Sequence, residues 1–325
     1  MGRVEKMVDD LRNTKQRNPI IDVHVHITPY AFQEAVLSGQ DWHGTTSEDG
    51  ELENPKNRRP PENRIEEMDE LGIDIQLLSP TDCFYQYDKD PEITEQIAAE
   101  CNDEISEIVR AYKPRFLGLG TLPMQDIDRA INEMKRGMRQ LGLKGFMIDD
   151  HVNGRTYDEP TFEPLWEAAE KLQAILLIHQ YGPTTVYHRT KNYFLPNTVG
   201  NLVDRTLTFG CLVYGGVIDR HPGWVVCLGH SGGYTPYAVD RMDRGWDVFP
   251  KYRGNSRDRP SSYLSHFLYD TTTFTERNLR FLVDSVGINK VMLGTDWPAP
   301  MAVEDPVRKI EKHNTLTACE KESIL

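Results

Sequence analysis

The sequence predicts an α/β fold of the (β/α)8-barrel class. Eight short, β-rich apolar runs alternate along the chain with amphipathic helical stretches. Most of these runs are near-continuous, the pattern of parallel strands buried on both faces. The length of 325 residues is ordinary for one such barrel and long for most other single domains. No GxGxxG follows the first run, so an open dinucleotide-binding sheet lacks its fingerprint.

The elements follow in order. PIIDVHVH (19–26) is the first strand, and a long polar loop, Gly39 to Asn63, rich in Glu, Asn, Arg and Pro, separates it from the helix RIEEMDELG (64–72). IDIQLLSP (73–80) is the second strand, the helix 93–112 follows, and FLGLGTLP (116–123) is the third. The helix 127–142 leads to LKGFMID (143–149), and FEPLWEAAEKL (162–172) to AILLIH (174–179). A second long loop, Gly182 to Pro196, carries aromatic and basic residues. Helical stretches at 197–219 and 234–246 flank WVVCLGH (224–230). FLYDTT (267–272), the helix 275–287 and KVMLGTDWP (290–298) complete the set. Gly72, Gly142 and Gly287 stand where helices end on a left-handed residue. Asp126 and Thr275 stand at N-cap positions. No repeat, low-complexity tract or linker divides the chain, so residues 1–325 read as one domain, with loops 39–63 and 182–196 over the active site. The chain stops at Leu325 within a helical stretch, which predicts a last helix cut short or absent.

Composition excludes several functions. A net charge of −13 repels phosphate backbones, so nucleic acid is not an expected partner; a small anion stays compatible through a local arginine. The five cysteines are scattered with no CxxC, which reads as reduced thiols in a cytoplasmic protein. Residues 1–18 are charged and lack an apolar run of signal-peptide length. No run of about 18 apolar residues predicts a membrane span.

Chemistry-bearing residues gather at strand ends. The first strand ends in His24-Val25-His26, the fifth in His179, the sixth in His230, and the eighth at Asp296. These are the C-terminal ends, where barrel enzymes place their active sites. Alternation turns His24 and His26 to the same side. Three imidazoles and a carboxylate suit one divalent transition metal and leave a position for water. Read alone, each histidine is a structural residue and Asp296 a helix cap before Pro298; their shared placement at strand ends argues for a site. His43, His188, His266 and His313 lie in polar stretches and read as surface imidazoles; His221 reads as a helix-end cation, and His151 lies within reach of the mouth. The fourth strand has Lys144 at its start and Ile148-Asp149-Asp150 at its end, so no bridging lysine is placed for a second metal.

On the motifs IDVHVH, RIEEMDELGID, GLGTLPMQD, LLIH, CLGHSGG and VMLGTDWP, from Ile20 to about Pro300, the chain resembles the amidohydrolase superfamily. Within it, the chain is similar to the group around 2-amino-3-carboxymuconate-6-semialdehyde decarboxylase and γ-resorcylate decarboxylase. The resemblance implies His24, His26, His179 and Asp296 as metal ligands, and His230, with Asp296, as the catalytic pair. It implies Arg59, with Arg58 as competitor, as a carboxylate-binding arginine, and Tyr193 and Phe194 as aromatic pocket residues. Where the semialdehyde decarboxylases receive an arginine from a neighbouring subunit, this chain has Phe249, with Arg241 and Arg244 nearby. Zinc suits the donors, and manganese or iron is compatible with them. A homodimer is implied, and the segment Phe209 to Val217 offers either an interface or barrel packing. The expected activity is a metal-dependent non-oxidative decarboxylation of a small unsaturated or aromatic carboxylic acid. A hydrolase or hydratase acting on a lactone, amide or unsaturated acid is the alternative, and a non-catalytic binding barrel a third reading.

Overall fold

The computed structural model describes residues 18–50 and 52–325. The charged N-terminal stretch read above lies, through residue 17, outside the described residues. Eight parallel strands run in sequence order: β1 (Ile21–Ile27), β2 (Ile75–Pro80), β3 (Phe116–Gly120), β4 (Gly145–Ile148), β5 (Ile175–Ile178), β6 (Val225–Leu228), β7 (Leu268–Asp270) and β8 (Val291–Met292). The ring closes between its first and last segments. The Val23 amide donates to the Leu293 carbonyl at 2.9 Å, and the His26 amide to the Trp297 carbonyl at 2.7 Å. The fold is the predicted (β/α)8 barrel of the TIM type.

The α-helices longer than one turn among the described residues are α1 (Tyr30–Leu37), α2 (Pro61–Leu71), α3 (Pro91–Ala111), α4 (Ile127–Arg136), α5 (Glu163–Leu172), α6 (Asn201–Tyr214), α7 (Thr235–Val248), α8 (Glu276–Val286), α9 (Pro306–Glu311) and α10 (Ala318–Ile324). Asp126 and Thr275 cap α4 and α8, accepting from the Arg129 and Asn278 amides. Gly72 and Gly142 adopt the left-handed conformation at helix ends, whereas Gly287 has positive φ with extended ψ. The chain end is helical: α10 has a reciprocal Thr317/Glu320 capping box, and the Ile324 carbonyl accepts from Leu293.

The core joins strands and surrounding helices into one apolar mass. Phe209, Leu212, Val213 and Val217 are buried in it, so barrel packing accounts for these four side chains. A second apolar cluster, including Phe32, Trp42, Leu52 and Phe84, pins the loop 39–63. That loop is thus less polar in structure than in composition. Its two apolar anchors, Trp42 and Leu52, are hidden while Asp41, Glu48, Glu53, Arg58 and Glu62 are exposed.

Close packing constrains β4 strongly. A Cβ added at Gly145 would fall 1.8 Å from the Ile175 carbonyl oxygen of β5. Gly145→Ala is expected to destabilise the barrel by about 3 kcal/mol, the upper end for overpacking, because the obstacle is backbone. Denaturant unfolding checks this; a midpoint equal to the parent's would refute it.

Candidate metal centre and its support

His24 and His26 project from β1 to the same side, with ring centroids 5.1 Å apart. His179 follows β5, and its ring lies 5.0 Å from that of His24 and 4.7 Å from that of His26. Asp296 completes the group: its Oδ1 lies 3.4 Å from His24 Nε2, 3.1 Å from His26 Nε2 and 3.8 Å from His179 Nε2. One donor atom from each of the four residues falls within a 4.8 Å cluster. Among the described residues this is the group of that kind.

The donors fit a divalent metal on their own chemistry. His24 Nε2 and both His179 ring nitrogens are buried with no hydrogen-bond partner, an expensive arrangement unless a cation takes the lone pairs. Burial holds the imidazoles of His24 and His179 below the ordinary histidine range, keeping them in the neutral, ligating form. Burial works against the Asp296 carboxylate, but the imidazoles of His179, His230, His26 and His24 gathered around it outweigh burial and hold it well below the usual range.

The backbone aims these groups at some cost. Asp296 sits at φ 65° and His230 at φ 52°, left-handed conformations that disfavour a side chain by about 1–2 kcal/mol each. Neighbouring contacts over-determine both turns. The buried carboxyl of Asp22 accepts from the Thr295 amide at 3.0 Å and hydroxyl at 2.6 Å, and the Asp296 amide donates to the His24 carbonyl at 2.8 Å. Asp270, at the end of β7, accepts from the backbone amides of His230 and Ser231, both at 2.8 Å.

Asp270 also hydrogen-bonds His24 Nδ1 at 2.7 Å with both side chains fully buried, directing Nε2 toward the donor cluster. The Ser79 hydroxyl lies 3.3 Å from His26 Nδ1. Asp270→Asn is expected to weaken metal affinity by about 10- to 100-fold, read by competition with a chelator; unchanged affinity would remove Asp270 from the metal's support.

His230 stands at the rim. Its Nε2 lies 3.4 Å from Asp296 Oδ2, and its Nδ1 lies 3.1 Å from Gln180 Oε1. Arg205 donates to that same Oε1 at 2.9 Å and is held by Asp150 at 2.9 Å, with the guanidinium fully buried. Arginine can only donate, so the Gln180 atom between them is the oxygen, and His230 Nδ1 must donate to it. The Nε2 of a neutral His230 is then the free base facing Asp296. Burial pulls the His230 pKa down, but the hydrogen bond and charge of Asp296 outweigh it, and the net shift is upward.

A cavity of about 970 Å3 opens over the centre and is lined in part by His26, His179, His230 and Asp296, with Phe194 on its wall. The predicted substrate residues divide here. Phe194 lines the cavity; Tyr193, 90 % exposed, points to solvent. Arg59 lies outside the cavity lining, its guanidinium half-exposed and paired with Glu67 of α2. A loop arginine finds the nearest carboxylate of its own surface unless a ligand draws it away. Phe249 is exposed at the end of α7, also outside the lining. His151 faces a separate cavity of about 1200 Å3 and is not in the donor cluster. His313, expected at the surface, is buried and donates from Nε2 to the Glu276 carbonyl at 3.0 Å. His221 is buried between Glu163 and Glu170.

Asp270, Gln180 and Arg205 escaped the sequence reading. Asp270 had a usable signal, a carboxylate at the end of FLYD in the same register as the other strand-end residues. Gln180 and Arg205 had none, because only the fold brings α6 under β5 and β6.

Fold and site together define a (β/α)8 barrel with a cluster of three histidines and one aspartate, suited to a divalent metal, at its C-terminal mouth. The family model described as amidohydrolase matches residues 21–325, and the chain belongs to that family. It is 34% identical over 266 residues to 2-amino-3-carboxymuconate-6-semialdehyde decarboxylase of Dictyostelium discoideum, spanning 82% of this chain and 74% of that protein. The crystal structure of 5-carboxyvanillate decarboxylase from Sphingomonas paucimobilis superposes with a TM-score of 0.82 at 25% identity, covering 94% of this chain and 96% of the other. Dihydroxybenzoic acid decarboxylase from Polaromonas, solved with bound manganese and an inhibitor, has a TM-score of 0.81 at 23% identity, covering 94% of each chain. The relatives are decarboxylases, which favours the carboxy-lyase reading over hydrolase or hydratase, and an enzyme over a binding barrel.

Proposed function

We propose that this protein catalyses the non-oxidative decarboxylation of a small aromatic or unsaturated carboxylic acid, with the whole chain acting as one catalytic domain. His24, His26, His179 and Asp296 hold one divalent ion, and His230 with Asp296 manages the proton. The observation that carries the reading is the pairing of a four-donor cluster with a separate histidine. His230 stands outside the cluster and faces the second oxygen of the aspartate that belongs to it.

The ion supplies Lewis acidity toward a substrate oxygen. The chain's own residues do the rest. Asp296 divides its oxygens, Oδ1 toward the three imidazoles and Oδ2 toward His230. Gln180 and Arg205 fix the tautomer of His230, so its Nε2 presents one proton site to the cavity. As the bond from the substrate carbon to its carboxylate breaks, carbon dioxide leaves and the electron pair stays on that carbon. A proton delivered from the His230–Asp296 pair completes the product, and solvent restores it. Phe194 and neighbouring aromatic residues cover the ring and limit water.

By donor type the ion is zinc, with manganese the competitor the related manganese enzyme brings forward. The protein is a cytoplasmic homodimer in this reading. No described helix is long and apolar enough to cross a membrane. Sedimentation tests the dimer.

The activity is tested by incubating metal-loaded protein with a panel of hydroxybenzoates and unsaturated acids and measuring carbon dioxide and the decarboxylated product. Release from at least one acid, abolished by a chelator and restored by metal, is the expected result. Water addition or ring opening without carbon dioxide would overturn it.

A further inference from the structure

A buried guanidinium reaches across the seam where the first and last strands meet. Arg64, the fourth residue of α2, is 4 % exposed. Its Nη2 donates to the His26 carbonyl in β1. Its guanidinium carbon lies 3.9 Å from the centroid of the Trp297 ring, in the segment after β8. Its Nε and Nη1 are buried with no hydrogen-bond partner among the described residues.

Both residues that Arg64 touches belong to the surroundings of the donor cluster. His26 is one of the four donors, and Trp297 follows another, Asp296. The two segments also meet through their backbones. The His26 amide donates to the Trp297 carbonyl at 2.7 Å, the Asp296 amide to the His24 carbonyl at 2.8 Å, and Val25 bridges to Trp297 in parallel register. Together the segments carry three of the four donors, His24, His26 and Asp296. Regular strand geometry in β8 ends at Met292, four residues before Asp296, so the placement of Asp296 depends on side chains that grip the chain around it. Asp22 grips Thr295 on one side of Asp296, and Arg64 stacks on Trp297 on the other.

The choice of residue argues for a role beyond filling space. A guanidinium taken out of water with two nitrogens unpaired opposes folding, whereas an apolar side chain of similar size would pack there without that cost. What arginine adds is a flat cation that stacks on an indole while donating to a carbonyl. Lysine can reach a carbonyl but has no flat face.

Resting on the metal-centre part of the reading above, we infer that Arg64 is a positioning residue for the metal. It locks β1 to the segment after β8 and so sets the separation of His26 and Asp296, whose Nε2 and Oδ1 lie 3.1 Å apart. Residues that orient metal ligands from outside the coordination shell typically change affinity by about 10- to 100-fold when lost. Arg64 acts in that way through the backbone of one donor and the neighbour of another.

The experiment compares the full-length parent with Arg64→Met and Arg64→Lys. Methionine fills a comparable space and is a good helix former, so α2 keeps its start. Three quantities are read on each folded protein: the melting temperature, the affinity for manganese by competition with a chelator, and the visible absorption of the cobalt-loaded protein, which reports coordination geometry. In Arg64→Met the affinity is expected to fall about 10- to 100-fold and the cobalt spectrum to change; Arg64→Lys falls between it and the parent. A side chain that only packs would move the melting temperature and leave the other two at parent values. Parent affinity with an unchanged cobalt spectrum in Arg64→Met, or in Arg64→Lys if the methionine variant does not fold, overturns the inference. A parent that binds metal but releases no carbon dioxide from any acid overturns the decarboxylase reading alone. A parent that binds no metal overturns both.

Discussion

Replacing His179 and Asp296 together with alanine is expected to take the protein from about one bound metal ion per chain to near zero, with activity lost alongside. The two residues supply half of the donor set, including its one carboxylate. What remains is the His24/His26 pair on a single strand, too few ligands to hold a divalent ion against solvent. The barrel itself should survive. Both residues follow the last paired residue of their strands and stand at the mouth, away from the apolar core. Removing His179 also deletes two buried nitrogens that have no protein partner, so the apoprotein loses little. Elemental analysis of parent and variant, with a thermal melt on each, reads the result. A variant that keeps its metal would place the ion elsewhere. A parent that binds none, even after reconstitution, would make the strand-end histidines structural.

The second large effect concerns His230. The His230→Asn variant is expected to lower kcat by roughly 10²- to 10⁴-fold, the usual range for a lost proton-transfer group, while metal content stays at the parent level. Asparagine is the informative replacement because it tolerates the left-handed conformation this position adopts, which alanine disfavours. It also retains a polar side chain near Gln180. The separation of the two readouts decides the role. Lost activity with retained metal assigns His230 to the proton. Lost metal with lost activity makes it a fifth ligand. Activity within about threefold of the parent would leave it structural.

Much of the barrel was legible because two-sided burial forces parallel strands into near-continuous apolar runs. All eight runs became strands, though several are shorter than their apolar run. KVMLGTDWP pairs regularly only at Val291 and Met292. The chain beyond must turn through a left-handed Asp296 to aim its carboxylate, and a turn cannot stay in a ladder. The helix predicted over 127–142 ends its regular part at Arg136 and widens over Gly137–Leu141. A side chain at Gly137 would stand 2.7 Å from Phe146, so the close approach belongs to packing that periodicity does not report.

By itself the sequence determined where the chemistry-bearing residues lie along the strands. Strand alternation puts His24 and His26 on one side, and the C-terminal ends of barrel strands converge whatever the loops do. That geometry is local or follows from closure alone, so the donors His24, His26, His179 and Asp296 and the neighbouring His230 could be named without coordinates. Only the tertiary structure decided what holds them and what they face. Asp270 behind His24, the Asp150–Arg205–Gln180 chain behind His230, and the pairing of Arg59 with Glu67 join residues from 8 to 246 positions apart. A hydrogen bond across such a span has no period or spacing to betray it.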